Sequence, residues 1–235
     1  MAAAETPPGG FDPEAEAALI GALAETESEP VRHALLSRML AAGRRRAGAW
    51  SVGGLTTRVI RMAPELRVNG RGELFRRYPG HTEDQVADLL IGKAARAAAG
   101  VGAATGAAAF LPLPVTWPVQ LATETVAVIG IELKLVAELH EVYGAAVPGA
   151  PGERALAYLN AWSRQRGVTV TSADATLAAG SAVNKRLRRR VAMRTGRDVV
   201  SLGPLLSGAA LGAAVNHRET TRLGKRIKKD LRRRG

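Results

Sequence analysis

The chain has 235 residues, a net charge of +12 and no cysteine, and 46% of its residues are hydrophobic while only 4% are aromatic. This length suffices for one large domain or two small ones with a buried core. The lack of cysteine excludes disulfides, thiol catalysis and cysteine-ligated zinc or iron–sulfur centres. With so few aromatic residues, the core is expected to consist of Ala, Leu and Val.

The N-terminal part of the chain is predicted to be helical after a short tail. Residues 1–12 are expected to be disordered, and the first 30 residues contain acids but no Lys or Arg, which is unlike a secretory signal. Residues 13–81 are predicted to form an N-terminal helical region and connector. Within it, the apolar spacing favours a helix over residues 31–43 and a shorter helix over residues 55–62, whereas residues 68–80 are typical of a loop.

Two long helices are predicted in the middle of the chain. Thr82 is followed three residues later by Gln85, the spacing of a capping box, which predicts a helix over residues 82–111. A second helix is predicted over residues 118–143, after a short connection rich in proline. The expected fold class is therefore all-α, a helical bundle built round a long antiparallel Ala/Gly-rich helical hairpin.

Glycine recurs within the predicted helices, although each interior glycine costs a helix about 1 kcal/mol relative to alanine. Two pairs have the spacing G-x-x-x-G, namely Gly102 with Gly106 and Gly208 with Gly212. This spacing creates a flat helix face that another backbone can approach closely. We therefore predict that these four glycines are helix-packing sites and that the flat sides of the hairpin helices touch.

The uncharged run from residue 97 to residue 123 raises the question of membrane contact. It is 27 residues long, which is enough to span a bilayer, but three prolines would break a single spanning helix. We interpret the run as a hairpin tip that inserts shallowly into a membrane, and a soluble core and a spanning hairpin remain the alternatives. The residues predicted to contact the membrane at this tip are Phe110, Leu111, Leu113 and Trp117.

Three charged residues in the hairpin are candidates for buried polar sites: Arg96, Glu124 and Glu132. Arg96 lies 18 residues before Pro114 and Glu132 lies 18 residues after it, which predicts an ion pair between them across the hairpin. Glu124 would lie near Thr105, and a buried Glu124 would need a hydrogen bond or a raised pKa. A position facing solvent is the favoured interpretation for Glu124.

Positive charge collects near the C-terminus. Residues 185–235 hold 16 of the 33 Lys and Arg residues and 3 of the 21 acids, so their net charge of +13 exceeds that of the whole chain. Apolar residues recur every four positions between these bases, which predicts an amphipathic basic helix over residues 217–235 that suits an anionic bilayer surface. The bases predicted to contact the membrane are Arg222, Lys225, Arg226, Lys228 and Lys229. Nucleic acid is the alternative partner, although few aromatic residues lie beside these bases to stack on it.

No motif points to catalysis. The four histidines form neither H-E-x-x-H nor a pair spaced by four, and the glycines at residues 100–106 follow a helical pattern rather than the strand that a nucleotide site requires. We therefore expect no metal and no cofactor, and catalysis is unsupported by the sequence but not excluded. A helical domain that binds a small molecule is a further alternative.

Residues 82–144 combine a small-residue helix, a proline turn and a second helix that ends on Tyr143-Gly144. A later apolar run carries Pro204, Gly208, Asn216 and Gly224. In both features the chain, over about residues 82–235, resembles EcsC-family bacterial proteins, although the acid expected just after the proline turn is absent. The resemblance implies a helical core over residues 82–216 and a role in transporter or envelope processes. We therefore expect a protein that docks on the inner leaflet from the cytoplasmic side.

Overall fold

A computed structural model describes residues 12–44, 52–108, 117–166, 180–186, 188 and 207–234. These residues form helices joined by turns, without a strand among them, which confirms the all-α class. A 3₁₀ turn, Ala63–Glu65, follows the third helix. The helices are α1 (Pro13–Glu25), α2 (Glu29–Arg44), α3 (Val52–Met62), α4 (Arg71–Arg77), α5 (Glu83–Ala108), α6 (Trp117–Val142), α7 (Pro151–Gln165), α8 (residues 180–186) and α9 (Ser207–Arg232).

Side-chain caps fix the start of α1 and of α5. The Asp12 carboxylate accepts a hydrogen bond from the backbone N–H of Ala15 at 3.1 Å. At α5, the hydroxyl of Thr82 accepts from the N–H of Gln85 at 3.3 Å, and the side-chain oxygen of Gln85 accepts from the N–H of Thr82 at 2.8 Å. These two reciprocal bonds confirm the predicted capping box and satisfy backbone donors that a helix start leaves unpaired.

The prediction of a loop over residues 68–80 is wrong for the middle of this segment, where the chain forms α4. Leu74 is fully buried and anchors this short helix to the core. Arg71 donates to the carbonyl oxygen of Val142, and its guanidinium lies 4.9 Å from the centre of the Phe75 ring. The burial of Leu74 and the bond from Arg71 to α6 override the turn-forming preference of the glycines nearby.

Helix α6 forms the centre of the core. Every residue from 121 to 139 is buried, and the other long helices pack around it. Gly130 provides room for this packing, because a Cβ at that position would lie 2.7 Å from two carbon atoms of Ile20. In the part of the chain that the structure describes, no helix combines the length and the apolar character needed to cross a membrane.

Helices α5 and α9 lie side by side and run in opposite directions. The positions that face each other are Gly102 and Gly212, Ile91 and Gly224, Asp88 and Lys228, and Asp84 and Arg232. The last turns of α9 therefore lie beside the first turn of α5. At 1.5 Å per residue, the far end of α5 at Ala108 is about 36 Å from Asp84.

Helix α9 is continuous through residues 216 and 217, where the sequence predicts a boundary between the helical core and the basic C-terminal helix.

Candidate functional site

Helix α9 has one buried face and one basic face. Leu223, Ile227 and Leu231 are at most 5% exposed and belong to the hydrophobic core. The opposite side carries only bases among its exposed residues from 218 to 234: Arg218, Arg222, Lys225, Arg226, Lys229, Arg232, Arg233 and Arg234. From residue 218 onward, the apolar side of α9 is therefore used in folding, and the exposed side chains are all charged. Nearer the start of the helix, Leu211 is 46% exposed.

A close approach of two glycines holds α9 against α5. A Cβ on Gly212 would lie 2.5 Å from the carbonyl oxygen of Gly102, and a Cβ on Gly102 would strike the carbonyl oxygen of Gly212. A third glycine, Gly224, packs on Ile91, whose Cγ1 would lie 2.6 Å from an added Cβ. Backbones can approach this closely only where no side chain intervenes. The close contact of Gly102 thus joins α5 to α9 rather than to α6.

A buried hydrogen bond between charged and polar side chains lies next to this glycine contact. The Nδ2 atom of Asn216 would lie 2.6 Å from a Cβ on Gly102, and it donates to a carboxylate oxygen of Glu124 at 3.1 Å. Glu124 is only 4% exposed, so the interpretation that it faces solvent is wrong. The hydroxyl of Thr105, the partner expected for Glu124, donates to the carbonyl oxygen of Val101 at 2.9 Å.

Glu132 lies at the centre of a buried polar cluster that joins four helices. Its carboxylate forms an ion pair with Arg166 at the end of α7. It also accepts from the Nη1 atom of Arg186 in α8 at 3.0 Å, the indole N–H of Trp162 in α7 at 2.8 Å and the hydroxyl of Thr220 in α9 at 3.1 Å. Glu132 itself is fully buried.

The Glu132 carboxylate stays ionised despite this burial. Burial alone raises the pKa of a carboxyl group, but the two arginines and the indole donor outweigh that effect and lower the pKa of Glu132 to about 2. A second acid, Glu219, lies 3.6 Å from Arg166 and balances the charge of the cluster. A carboxylate that accepts this many hydrogen bonds has neither a proton nor a free lone pair to offer, so the cluster acts to hold the helices together.

The predicted ion pair between Arg96 and Glu132 is wrong, and Arg96 is not a buried polar site. The Arg96 side chain is 53% exposed, and its nearest acid is Glu27, at 3.7 Å. The number of residues from the turn gives the position of a residue along the hairpin axis. It does not give the direction in which the side chain points. A helix rotates by about 100° per residue, and this rotation turns Arg96 away from α6.

A second buried ion pair, which sequence analysis missed, lies nearer the end of α6. The ammonium of Lys134 lies 2.6 Å from the carboxylate of Glu138, and it also donates to the carbonyl oxygen of Arg67 at 2.7 Å. The amide of Asn69 donates to the same carboxylate at 2.7 Å. Burial raises the pKa of Glu138, although Lys134 opposes the shift. The spacing of four between Lys134 and Glu138 is the signal that could have revealed this pair.

Acids at the start of α5 bind two of the bases of α9. Asp84 accepts from the hydroxyl of Tyr143 at 2.6 Å and lies 3.3 Å from Arg232, and Asp88 lies 2.9 Å from Lys228. The hydrogen bond from Tyr143 and the nearby cations lower the pKa of Asp84, while burial and the same hydrogen bond raise the pKa of Tyr143. The Lys228 side chain is only 14% exposed, so it is turned toward α5 and is a poor membrane contact.

The same end of α9 borders a basic groove. It is open to solvent, has a volume of about 500 Å³ and is lined by Asp88, Lys225, Lys228, Lys229, Arg232 and Arg233. Five bases and one carboxylate therefore line the groove, and Asp84, which is not part of the lining, pairs with Lys228 and Arg232. Within the described ranges, no acid pairs with Lys225, Lys229 or Arg233. The groove is an unneutralised cationic site at the surface, in contrast to the balanced charges around Glu132.

Several predicted site residues lie outside the described part of the chain. Phe110, Leu111 and Leu113 belong to residues 109–116, which the structure does not describe. Gly106, Trp117 and Gly208 lie in α5, α6 and α9 respectively, and their surroundings are likewise not described. Among the described residues, no group of three His, Cys, Asp or Glu side chains is placed to hold a metal ion.

Comparison with known proteins adds no assignment to this geometry. No family model, no curated protein and no solved structure matches the chain. The functional inference therefore depends on the outward face of α9 and on the groove at its end.

Proposed function

We propose that this chain is a non-enzymatic, membrane-associated helical protein that docks on an anionic membrane surface through the outward face of α9. One observation carries the proposal: all eight exposed residues from 218 to 234 are Lys or Arg. The two acids of the same segment are turned inward, because Glu219 is buried and Asp230 accepts a hydrogen bond from Gln165 of α7. An uninterrupted cationic face of this kind attracts a polyanionic partner.

The spacing of the bases suits a flat partner. Arg218, Arg222, Lys225 and Lys229 follow one another at intervals of three and four residues, which places them on one side of the helix over about 16 Å. Each base near an anionic bilayer contributes about 1 kcal/mol to binding. Because Leu223, Ile227 and Leu231, the apolar residues between these bases, are buried in the core, this attraction is electrostatic, and salt is expected to weaken it.

The orientation of the protein on the membrane follows from a second part of the proposal. We infer that α5 and α6 form a long antiparallel Ala/Gly-rich hairpin with residues 109–116 at its tip. The hydrogen bond from Tyr143, just beyond α6, to Asp84 in the first turn of α5 supports this arrangement. The tip would then lie about 36 Å from the basic end of α9. One membrane surface can meet both only when the helix axes lie parallel to it.

The resemblance of residues 82–235 to EcsC-family proteins supports a cellular setting for this docking. We propose the cytoplasmic side of a bacterial inner membrane, where the protein would be peripheral or shallowly inserted and linked to transport or envelope processes. Two residues that carry the resemblance also contribute to the packing of α9: Asn216 binds Glu124, and Gly224 packs on Ile91.

Co-sedimentation with vesicles tests the proposal. We expect the full chain to bind vesicles of phosphatidylglycerol and phosphatidylcholine, to remain unbound with phosphatidylcholine alone, and to dissociate as NaCl rises from 0.05 to 0.5 M. The variant R218Q/R222Q/K225Q/K229Q should lose most of this binding. A matched control removes four exposed arginines from other helices, R38Q/R61Q/R154Q/R164Q, and should retain it. Equal recovery on neutral and anionic vesicles would refute electrostatic docking.

The same variants separate a membrane from nucleic acid. If the chain retains a 30-base-pair DNA duplex but leaves the vesicles in solution, and only the α9 variant loses the duplex, nucleic acid replaces the membrane as partner. Fractionation of cells gives the complementary result. Release from the membrane by a high-salt wash supports electrostatic docking, whereas retention through a carbonate wash supports insertion of the hairpin tip.

A further inference from the structure

We propose that the groove at the C-terminal end of α9 is a binding site for clustered phosphate groups, supplied either by the phosphomonoester of a lipid headgroup or by a free polyphosphate. This inference deepens the proposed function and rests on it, because the groove belongs to the same basic face. It concerns a different property, since the exposed face explains attraction to any anionic surface, whereas the groove selects a particular anion.

The cations of the groove lie close together at the C-terminal end of α9. Four of the groove bases, Lys225, Lys228, Lys229 and Arg232, lie in the last turns of α9, and Arg233 follows the helix directly, so all five lie within about 12 Å along the helix axis. Asp88 of α5 forms part of the opposite wall. The volume of this open groove, about 500 Å³, lies within the range of sites that hold small ligands and is large enough for several linked phosphate groups.

Two carboxylates of α5 are already bound to cations of the groove. The carboxylate of Asp88 lies 2.9 Å from the ammonium of Lys228, and the carboxylate of Asp84 lies 3.3 Å from the guanidinium of Arg232. Lys228 therefore holds an oxyanion in a hydrogen bond, and Arg232 holds a second oxyanion in an ion pair. Arginine and lysine bind phosphate oxygens with the same charge-assisted geometry.

The groove carries an excess of positive charge. Lys225, Lys229 and Arg233 also line the groove, and none of them is paired with an acid in the ranges that the structure describes. A phosphodiester carries one negative charge and neutralises little of this excess. A phosphomonoester carries between one and two at neutral pH, and a polyphosphate chain carries more. The groove is therefore expected to favour the more highly charged groups.

A soluble probe tests the groove independently of any membrane. We expect calorimetric titration of the full chain with sodium tripolyphosphate in 0.15 M NaCl to show saturable binding. The variant K225Q/K229Q should weaken it by about tenfold or more, because both residues line the groove. The matched control R218Q/R222Q removes the same charge from the same helix outside the groove and should stay within about twofold. Circular dichroism should show the same helix content in all three proteins.

Equal weakening by the two variants, or no saturable binding by the unaltered chain, would overturn the groove proposal. Vesicles of equal total charge then identify the source of the phosphate. If vesicles with phosphatidic acid bind more tightly than vesicles with phosphatidylglycerol, and K225Q/K229Q removes the difference, the ligand is a lipid phosphomonoester. If the vesicles bind equally and tripolyphosphate binding is retained, the ligand is a free polyphosphate.

The two proposals fail in distinguishable ways. Binding to anionic vesicles without saturable tripolyphosphate binding would leave the proposed function standing and remove the groove site. Saturable tripolyphosphate binding without any vesicle binding would remove membrane docking and support the groove as a site for a free polyphosphate.

Discussion

Helices α6 and α9 have the same length, 26 residues, but they place their charges in opposite ways. The charged residues Glu132, Lys134 and Glu138 of α6 are at most 4% exposed, and each is hydrogen-bonded to side chains of other elements or of the same helix. In α9, Leu223, Ile227 and Leu231 are buried, and six bases are exposed: Arg218, Arg222, Lys225, Arg226, Lys229 and Arg232. Charges in α6 therefore stabilise the fold, whereas the exposed bases of α9 are accessible to a partner.

The surroundings of a charged residue in a helix decide whether it contributes to folding or to binding. A buried charge must be compensated because its desolvation costs several kcal/mol, and that compensation uses up its capacity to bind a ligand. An exposed base makes little contribution to stability and keeps its capacity for binding. Substitutions in α6 should therefore affect stability, and substitutions in α9 should affect binding.

The largest effect is expected at Glu132. The substitution E132Q removes the counter-charge of Arg166 and Arg186, both mainly buried, and should lower the free energy of unfolding by about 3–5 kcal/mol. Urea denaturation followed by circular dichroism measures this loss. The control K225Q changes an exposed base of α9 and should stay within about 0.5 kcal/mol. A loss below about 1 kcal/mol in E132Q would contradict the structural role given to this cluster.

The pH dependence of stability should report the same residue. The folded pKa of Glu132 is about 2, below the ordinary value of 4.5, so its contribution is present above pH 4.5 and is lost as the pH falls through 2. The loss between these two values should reach about 3 kcal/mol. Glu138 acts in the opposite sense, because its raised pKa removes stability only as the pH rises above 4.5. Urea denaturation between pH 5 and pH 2 should show a smaller slope in E132Q, and an unchanged slope would assign the acid sensitivity to other groups.

A smaller effect is expected at the contact between α5 and α9. The substitution G102A places a Cβ against the carbonyl oxygen of Gly212 and should lower stability by about 1–3 kcal/mol, even though alanine favours a helix. The control G92A lies in the same helix, where the nearest atom is the flexible end of Arg96 at 3.4 Å, and should raise stability by about 0.5–1 kcal/mol. Thermal unfolding distinguishes the two, and a gain in both variants would show that α9 moves easily on α5.

The features that sequence predicted well are those that depend on neighbouring residues. The capping box of Thr82 and Gln85 follows from local backbone geometry, and the start of α5 can be derived from it. The glycine spacing indicated a close helix contact but not which helix would supply it. The observed partners, Gly102 and Gly212, are far apart in sequence and no local rule connects them.

The features that sequence missed depend on the rotation of helices about their axes. Arg96 points outward and Glu132 inward because their helices are rotated to bury the apolar side chains around them. The partners of Glu132, such as Arg186 and Thr220, come from helices whose positions cannot be derived from the residues near Glu132. The basic groove was missed for the same reason, since Asp88 faces the α9 lysines only through the antiparallel packing of α5 and α9.

The smallest effect separates two adjacent lysines of α9. Lys228 is 14% exposed and lies 2.9 Å from Asp88, while Lys229 is exposed and has no acid partner among the described residues. We expect K228Q to lower stability by about 0.5–1 kcal/mol and K229Q to leave it nearly unchanged, and we expect 1 M NaCl to reduce the difference. The effects on vesicle binding should be reversed: K229Q should bind vesicles more weakly than K228Q does. If K228Q weakens binding as much as K229Q while leaving stability unchanged, both lysines face the partner, and the distinction between the inward and outward charges of α9 does not hold.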